Sequence, residues 1–485
     1  MKKLFTLTTK DWITGMGASK HASTGILNPD SRGINPLGND ENYGLLTSAG
    51  APTDIAGANV VDQPIAYVTN SDDLYILGDD GHLYTQDVLS APTTTPTDLR
   101  SGTPITNPAN GLEIFQAAGG SKYLYYWQKT QIGRWDISGS YPTGWTDNWA
   151  TGLNDTYIHP THAFAGQIFY GDGSEIGKIY DNSGTPTKVD NVLDIYANFT
   201  INSLTDDGTY LVIGATTQTA SGTPTSISQN KILFWDTFAP SWAVEWTLPE
   251  TSALVSVKYS NGLVYALTTE ALWACSVGSQ PQKIVTLSST SMRPSFANDS
   301  IGHNNQDKLT HYRDGVAWVS TDRVTFFGKM RPESKRTLLP LVYGISGGSS
   351  LTIANSSYIH VGADEAYYYS APDNPGDTSG VAETQYVGLD GTHQIKAVEV
   401  IFGEPLAASD SLQVSLVSDE DVSSTLAGTI TYALVDAQTN PRKYRLLADG
   451  FANAFVAENV AFNLAFNGGA PKVKTINVYG DKIEL

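Results

Sequence analysis

Apolar and polar positions alternate in short bursts through the middle of the chain, and the bursts come in pairs. A turn leads into an alternating stretch, a second turn follows, and the next stretch ends on an aromatic residue. The pairs fall at 73–77 and 79–84, 123–127 and 132–135, 166–170 and 176–180, 209–213 and 231–235, 261–267 and 270–273, and 314–319 and 322–326. A weaker seventh lies at 357–361 and 366–369. The fifth is the plainest: Asn261-Gly262-Leu263-Val264-Tyr265-Ala266-Leu267, then Glu270-Ala271-Leu272-Trp273. Period-two alternation bounded by Gly, Asn and Asp predicts strands joined by tight turns. Equivalent first stretches recur every 43 to 53 residues, about the length of a four-stranded propeller blade.

A single small sheet cannot bury both of its faces. Stacking copies around an axis does so, and closing the ring protects most strand edges. The expected fold is therefore all-β: a six- or seven-bladed β-propeller over residues 61–371, followed by a small β-sandwich. The competing architecture is a run of ordinary hairpins in a large sandwich or solenoid. Two Trp-Asp pairs, Trp135-Asp136 and Trp235-Asp236, end strands of the repeat, but no Gly-His partner precedes either at blade spacing. They read as a coincidence of aromatic strand ends.

The chain changes character at both ends. Residues 1–60 show little periodicity and read as an N-terminal arm or closing segment. The loop Pro372-Asp373-Asn374-Pro375-Gly376-Asp377 would break any strand and marks a boundary. Beyond it, over 378–485, alternating runs such as Val398-Glu399-Val400-Ile401-Phe402 and Leu412-Gln413-Val414-Ser415-Leu416 suit the sandwich.

Composition agrees with short strands and many turns. Charged residues make up 16% of the chain, with 45 Gly and 23 Pro, against about 25% charged in ordinary domains. The net charge of −20 repels nucleic-acid backbones and anionic lipid, so nucleic acid is not an expected partner. The start Met1-Lys2-Lys3-Leu4-Phe5 imitates a signal peptide, but its apolar run is broken at Thr8-Thr9-Lys10-Asp11. No stretch approaches the ~20 apolar residues of a membrane span. Cys275, the chain's one cysteine, sits in the apolar run Ala271-Leu272-Trp273-Ala274 and reads as a core residue.

With both parts in place, the layout resembles virion proteins of tailed bacteriophages that carry a propeller and a terminal sandwich. The residues that carry the likeness are Ile395-Lys396-Ala397-Val398-Glu399-Val400-Ile401-Phe402-Gly403-Glu404-Pro405-Leu406, followed by Asp410-Ser411-Leu412-Gln413-Val414. In that pattern an edge strand ends in Glu-Pro-Leu and turns into the next. Lys474-Thr475-Ile476-Asn477-Val478-Tyr479 near the C-terminus fits it too. The resemblance implies a multicopy structural part of a tail, nozzle or collar, located in the virion and made in the host cytoplasm. Its partners would be copies of itself and other virion proteins. It carries no catalytic or binding motif.

The residues themselves offer no catalytic group, metal site or cofactor motif. His159-Pro160-Thr161-His162 could share a metal on a helix, but Pro160 and the flanking strands place it in a loop. The acidic groups at Asp79-Asp80, Asp172-Gly173-Ser174-Glu175, Asp206-Asp207-Gly208 and Asp419-Glu420-Asp421 read as turns rather than a Ca²⁺ loop. The candidate binding residues are aromatic: Tyr141, Trp145 and Trp149 in one turn-rich segment, Trp242 and Trp246 in another. Indole rings of this kind stack on sugars, anchor partners, or simply pack between blades. The leading expectation is a non-enzymatic virion component that forms a symmetric oligomer. The alternatives are a module binding a host glycan or receptor, and a polysaccharide-degrading enzyme.

Overall fold

In a computed structural model, residues 1–483 are described except 13, 16–26, 28–30, 32–52, 55–62, 88–95, 219–223, 288, 297–304, 330–334, 344, 346, 355–357, 364–365, 371–379, 419–423, 452–453 and 468–470. Seven four-stranded antiparallel sheets form a propeller. Blades 1 to 6 occupy 64–98, 108–151, 161–194, 199–248, 254–286 and 309–343, each a meander in chain order. Each blade's first strand touches the first strands of its two neighbours, and that of blade 7 touches that of blade 1. These strands therefore surround the axis, and the ring is closed.

Blade 7 is assembled from both ends of the chain. Residues 350–370 supply three strands, and β2 (Thr53–Asp54) supplies the fourth by pairing Thr53 with Tyr369 and Asp54 with Tyr368. The boundary loop expected at 372–377 lies outside the described residues, as do most of Gly25–Ser31 and all of Asn35–Tyr43. The paired stretches read from the sequence are the second and third strands of the seven blades. These strands are legible because both of their faces are covered. In Leu211–Thr217, for example, every residue is buried.

Two blades repeat a device that the sequence reading passed over. In blade 2 the register sets Tyr126 opposite Gly133, and in blade 3 Tyr170 opposite Gly177. A Cβ on either glycine would lie 2.1 Å from the tyrosine ring, so the missing side chain is what lets the ring lie flat across the neighbouring strand. The phenol then donates to a carboxylate near the blade's outer edge: Tyr126 to Asp147, and Tyr170 to Asp190 at 2.6 Å.

The two Trp-Asp pairs also make one turn twice. Trp135 Nε1 donates to Gly139 O and Trp235 Nε1 to Ala239 O, both at 2.7 Å. Asp136 Oδ1 accepts from the Ser138 amide, and Asp236 Oδ1 from the Phe238 amide. The expectation of a coincidence is corrected. The indole and carboxylate together satisfy the backbone of the turn between the third and fourth strands, which fixes the residue pair there.

The C-terminal strands form one curled eight-stranded sheet. Its strands are β1 (Lys2–Leu7), β3 (Gly380–Glu383), β4 (Val387–Phe402), β5 (Ser411–Ser418), β6 (Thr425–Thr431), β7 (Lys443–Leu447), β8 (Phe455–Asn467) and β9 (Val473–Lys482). The order is β1-β9-β4-β8-β5-β6, with β3 added on β8 and β7 on β4. The strand before Glu404-Pro405-Leu406 is therefore not an edge strand: β4 is paired along both sides. It has to be interior, because its inward residues, including Ile395, Val398 and Val400, lie at the centre of the core. At the heart of the sheet Glu399 accepts from Lys443, Arg445 and Asn477. Burial pushes its carboxyl up, but these bonds outweigh burial and hold it down at about 2.

The N-terminal segment ties the two parts together. A short helix α1 (Thr9–Trp12) follows β1. Trp12 is wholly buried and donates through Nε1 to Lys474 O at 3.2 Å. Ser31 exchanges hydrogen bonds with the Glu383 backbone, and Arg323 of blade 6 donates to Ser31 O at 3.1 Å. One buried cluster runs from blades 5 and 6 through Leu7, Trp12 and Leu27 into the terminal sheet.

Candidate functional site

The propeller axis is polar and partly filled by the chain itself. The connection between blades 5 and 6 brings a 3₁₀ turn, Gln306–Lys308, against the first strands of blades 1, 4, 5 and 7. Gln306 Nε2 donates to Thr161 O of blade 3 at 2.7 Å, and its Oε1 accepts from the Leu204 amide of blade 4 at 2.9 Å. Ser256 of blade 5 donates to the Gln306 carbonyl at 2.8 Å. One residue thus ties three blades to a single point on the axis.

Around that point, side chains cross from each inner strand to the next. His162 Nε2 meets Asp206 Oδ2 at 2.7 Å, Ser203 Oγ accepts from the Val257 amide at 3.1 Å, and His311 Nδ1 meets Ser260 Oγ at 2.9 Å. Ser350 and Tyr67 join blade 7 to blade 1. His162 is held below the usual imidazole range, mainly by burial, with the nearby Lys258 charge adding to it and Asp206 opposing. A neutral ring donating to an ionised Asp206 satisfies both partners. Glu113, half-buried on the first strand of blade 2, is pushed up to about 7 by burial and by the Asp307 charge, against the pull of Lys258 and of the Ala163 and Ile114 amides.

The Glu113 shift has a testable sign. An unfolded glutamate ionises near its ordinary 4.5, whereas the folded one holds its proton until about 7. The unfolded chain therefore loses that proton first, and the stability it supports is fully present below 4.5 and lost as pH rises to 7. Glu113→Gln is expected to abolish this slope and to be more stable than the parent at pH 8 by on the order of 2–3 kcal/mol. Chemical denaturation of the two proteins at pH 4.5 and 8 measures the difference. Equal stabilities at both values would remove Glu113 from the buried set.

The two histidines considered for a metal are separate. His159 is buried between Gly171 O and Lys129 O, both 3.1 Å away, while His162 belongs to the axial pair. Among the described residues no three His, Cys, Asp or Glu side chains are grouped to hold a metal ion.

The aromatic candidates lie on the outer edges of two blades and do not converge. Trp145 stacks on Trp135 with centroids 5.1 Å apart, its ring 5.1 Å from the Arg100 guanidinium; Tyr141 meets it edge-on. Arg100, buried, makes a two-point bond to Asp147 at 2.7 and 3.1 Å, which locks blade 1 to blade 2. Trp149, further along the same strand, packs on Tyr125 and Arg134. Trp246 donates to Ser276 O at 2.8 Å and packs between blades 4 and 5. Trp242 lies 5.3 Å from Tyr196, and both donate to Glu245 Oε2, at 3.1 and 2.8 Å, while Lys231 pairs with the other oxygen. Tyr196, 40% exposed, is the open member of this group and was not foreseen. It lies in a connection with no aromatic neighbour in sequence except Phe199.

No family model matches the chain, and no curated protein matches it. Among solved structures, it is similar to the computationally designed Ika8 protein, at 12% identity and a TM-score of 0.38, covering 66% of this chain and 99% of that one. It is also similar to the WD40 domain of Neurospora crassa Pan2, at 8% identity and a TM-score of 0.44, covering 68% and 96%. The seven closed blades are read from the strand pairing itself. No described helix is long and apolar enough to cross a membrane.

Proposed function

We propose that this chain is a non-enzymatic structural component of a tailed-phage virion, of the tail or the tail–capsid junction, working as a symmetric oligomer with copies of itself and other virion proteins. The observation that carries the reading is the axis. Gln306 binds blades 3, 4 and 5 across the channel, so the chain's own residues occupy that stretch of the axis. The surface left for work is then the outside of the ring and the terminal sheet. The N-terminal segment, which belongs to both parts at once, favours a single rigid building block over two modules on a linker.

Electron microscopy of the purified full chain tests this. Class averages showing closed rings of several propellers are expected. Single propellers at every concentration would overturn the assembly.

A second reading, a host glycan- or receptor-binding module, draws on the Tyr196–Trp242 pair. The Tyr196 phenol is 40% exposed beside Trp242, held in place by the Glu245–Lys231 pair, and leaves an aromatic surface on which a sugar could stack. Its test is glycan-array binding by the parent and its loss in Tyr196→Ala.

A further inference from the structure

Nine large apolar side chains are exposed among the described residues, and five of them fall between residues 426 and 456. Leu426 on β6, Tyr432 and Leu434 on α2 (Tyr432–Asp436), and Leu447 on β7 are 37–48% exposed, on three elements in mutual contact. Beside them runs Arg442-Lys443-Tyr444-Arg445, three cations in four residues, with Lys443 and Arg445 sharing the one buried carboxylate of Glu399. β6 ends the sheet and carries no charge in its seven residues, the kind of edge that soluble proteins usually guard. This is an apolar face bordered by Arg442 and by the Lys443–Glu399–Arg445 cluster, with Asp436 exposed at the end of α2, in a chain whose net charge is −20.

A matching feature stands on blade 4. Phe238 is 86% exposed at the tip of the second Trp-Asp turn, where blade 2 has Ser138. The residue before it, Thr237, has φ +69°, a conformation that β-branched side chains avoid, and its buried Oγ1 has no partner among the described residues. The blade 2 twin has Ile137 there without positive φ. Blade 4 thus holds a strained backbone and a fully displayed phenyl ring, on a turn kept rigid by Asp236 and Trp235. Asp236 belongs to the Phe238 turn itself, and Asp207 lies in the turn between the first two strands at the same end of the blade; Asp206 beside it is already paired with His162 at the axis.

We propose that the Phe238 turn of one copy seats against the β6–α2–β7 face of the next, an aromatic knob on a turn that carries Asp236 against an apolar face bordered by Arg442. This names the contact behind the assembly proposed above and rests on that reading. The two surfaces differ, so the contact is head to tail, and repetition generates a ring if the rotation closes. Copies that repel through their overall acidity need such local complementarity in order to meet.

Mixing experiments test it on the full chain by light scattering. The parent is expected to run as a multimer. Phe238→Ser (knob lost) and Leu434→Asp (face lost) are each expected to run as monomers with unchanged melting temperature, and Arg442→Glu as a weakened, salt-sensitive multimer. An equimolar mixture of the first two variants is expected to form one-to-one dimers and nothing larger, because one intact knob meets one intact face. Variants that keep the parent's mass, or monomeric variants whose mixture yields no dimer, would overturn this contact while leaving the assembly standing. A parent that is monomeric at every concentration would overturn both.

Discussion

Trp12→Ala is expected to destabilise the protein by about 3–5 kcal/mol, the range for deleting a large buried aromatic side chain. The indole is wholly buried, donates to Lys474 O, and belongs to the one apolar cluster shared by blades 5 and 6 and the terminal sheet. Truncation removes the transfer free energy of the ring and leaves a cavity where three elements meet, so the surrounding side chains cannot simply close in. The helix that carries it is one turn long and held by Asp11, which accepts from the Thr8 amide and hydroxyl at 2.7 and 3.0 Å. So short a helix has little stability of its own and depends on the indole for its place. Scanning calorimetry is expected to show one transition in the parent and two in the variant, as the terminal sheet and the propeller melt apart. Trp12→Phe should recover part of the loss. A single unshifted transition in Trp12→Ala would mean that the segment does not couple the two parts.

Acid is expected to loosen the seam of the ring. His360, on the second strand of blade 7, is fully buried; its Nδ1–H donates to the Tyr367 hydroxyl at 2.5 Å, and that hydroxyl donates to Gln86 of blade 1 at 2.9 Å. Its Nε2 is buried without a hydrogen-bond partner among the described residues. Burial pushes this imidazole down to about 3. An unfolded histidine takes up its proton near 6.5, so between 6.5 and 3 the unfolded chain binds more protons. The stabilisation is fully present above 6.5 and is lost as pH falls through that window. At roughly 1.4 kcal/mol per pH unit the whole window is worth on the order of 4–5 kcal/mol. His360→Asn keeps a donor near the Nδ1 position and removes the titration. The difference in unfolding free energy between parent and variant should therefore grow in the variant's favour from pH 6.5 to 3. Parallel curves would show that the ring is already protonated or wet in the native state.

The central hairpins of all seven blades could be read from the chain because both of their strands are sandwiched between neighbours and carry the clearest alternation. The outer strands could not. The fourth strand of blade 1 is only Thr97–Asp98, and that of blade 7 lies about three hundred residues upstream of its partners. No local pattern marks a two-residue strand that is defined by its partner. The same holds for β1, whose place in the terminal sheet rests on pairing with residues 476–480. The aromatic residues of 141–149 and 242–246 were visible as aromatics. Their neighbours Arg100 and Tyr196, which decide whether a ring is covered, come from 40 to 50 positions away. The axial set was missed although it leaves a trace: Glu113 between Leu112 and Ile114, and Lys258 between Val257 and Tyr259, put a lone charge in the middle of a strand. Such a charge points to a polar axis once the strand is known to be the innermost.

Much rests on the N-terminal strand closing its own ring rather than a neighbour's. Asp54 and Tyr368 are register partners, and opposed antiparallel residues have Cα atoms about 4.5–5.5 Å apart, within disulfide reach. The native Cys275 is buried, its thiol pushed up to about 12 by burial, and it will not compete. In Asp54→Cys/Tyr368→Cys, oxidation is expected to give an intrachain bond, seen as a fast-migrating monomer on a non-reducing gel and resolved by peptide mapping. Disulfide-linked dimers or larger species, or no bond at all, would contradict a ring closed within one chain.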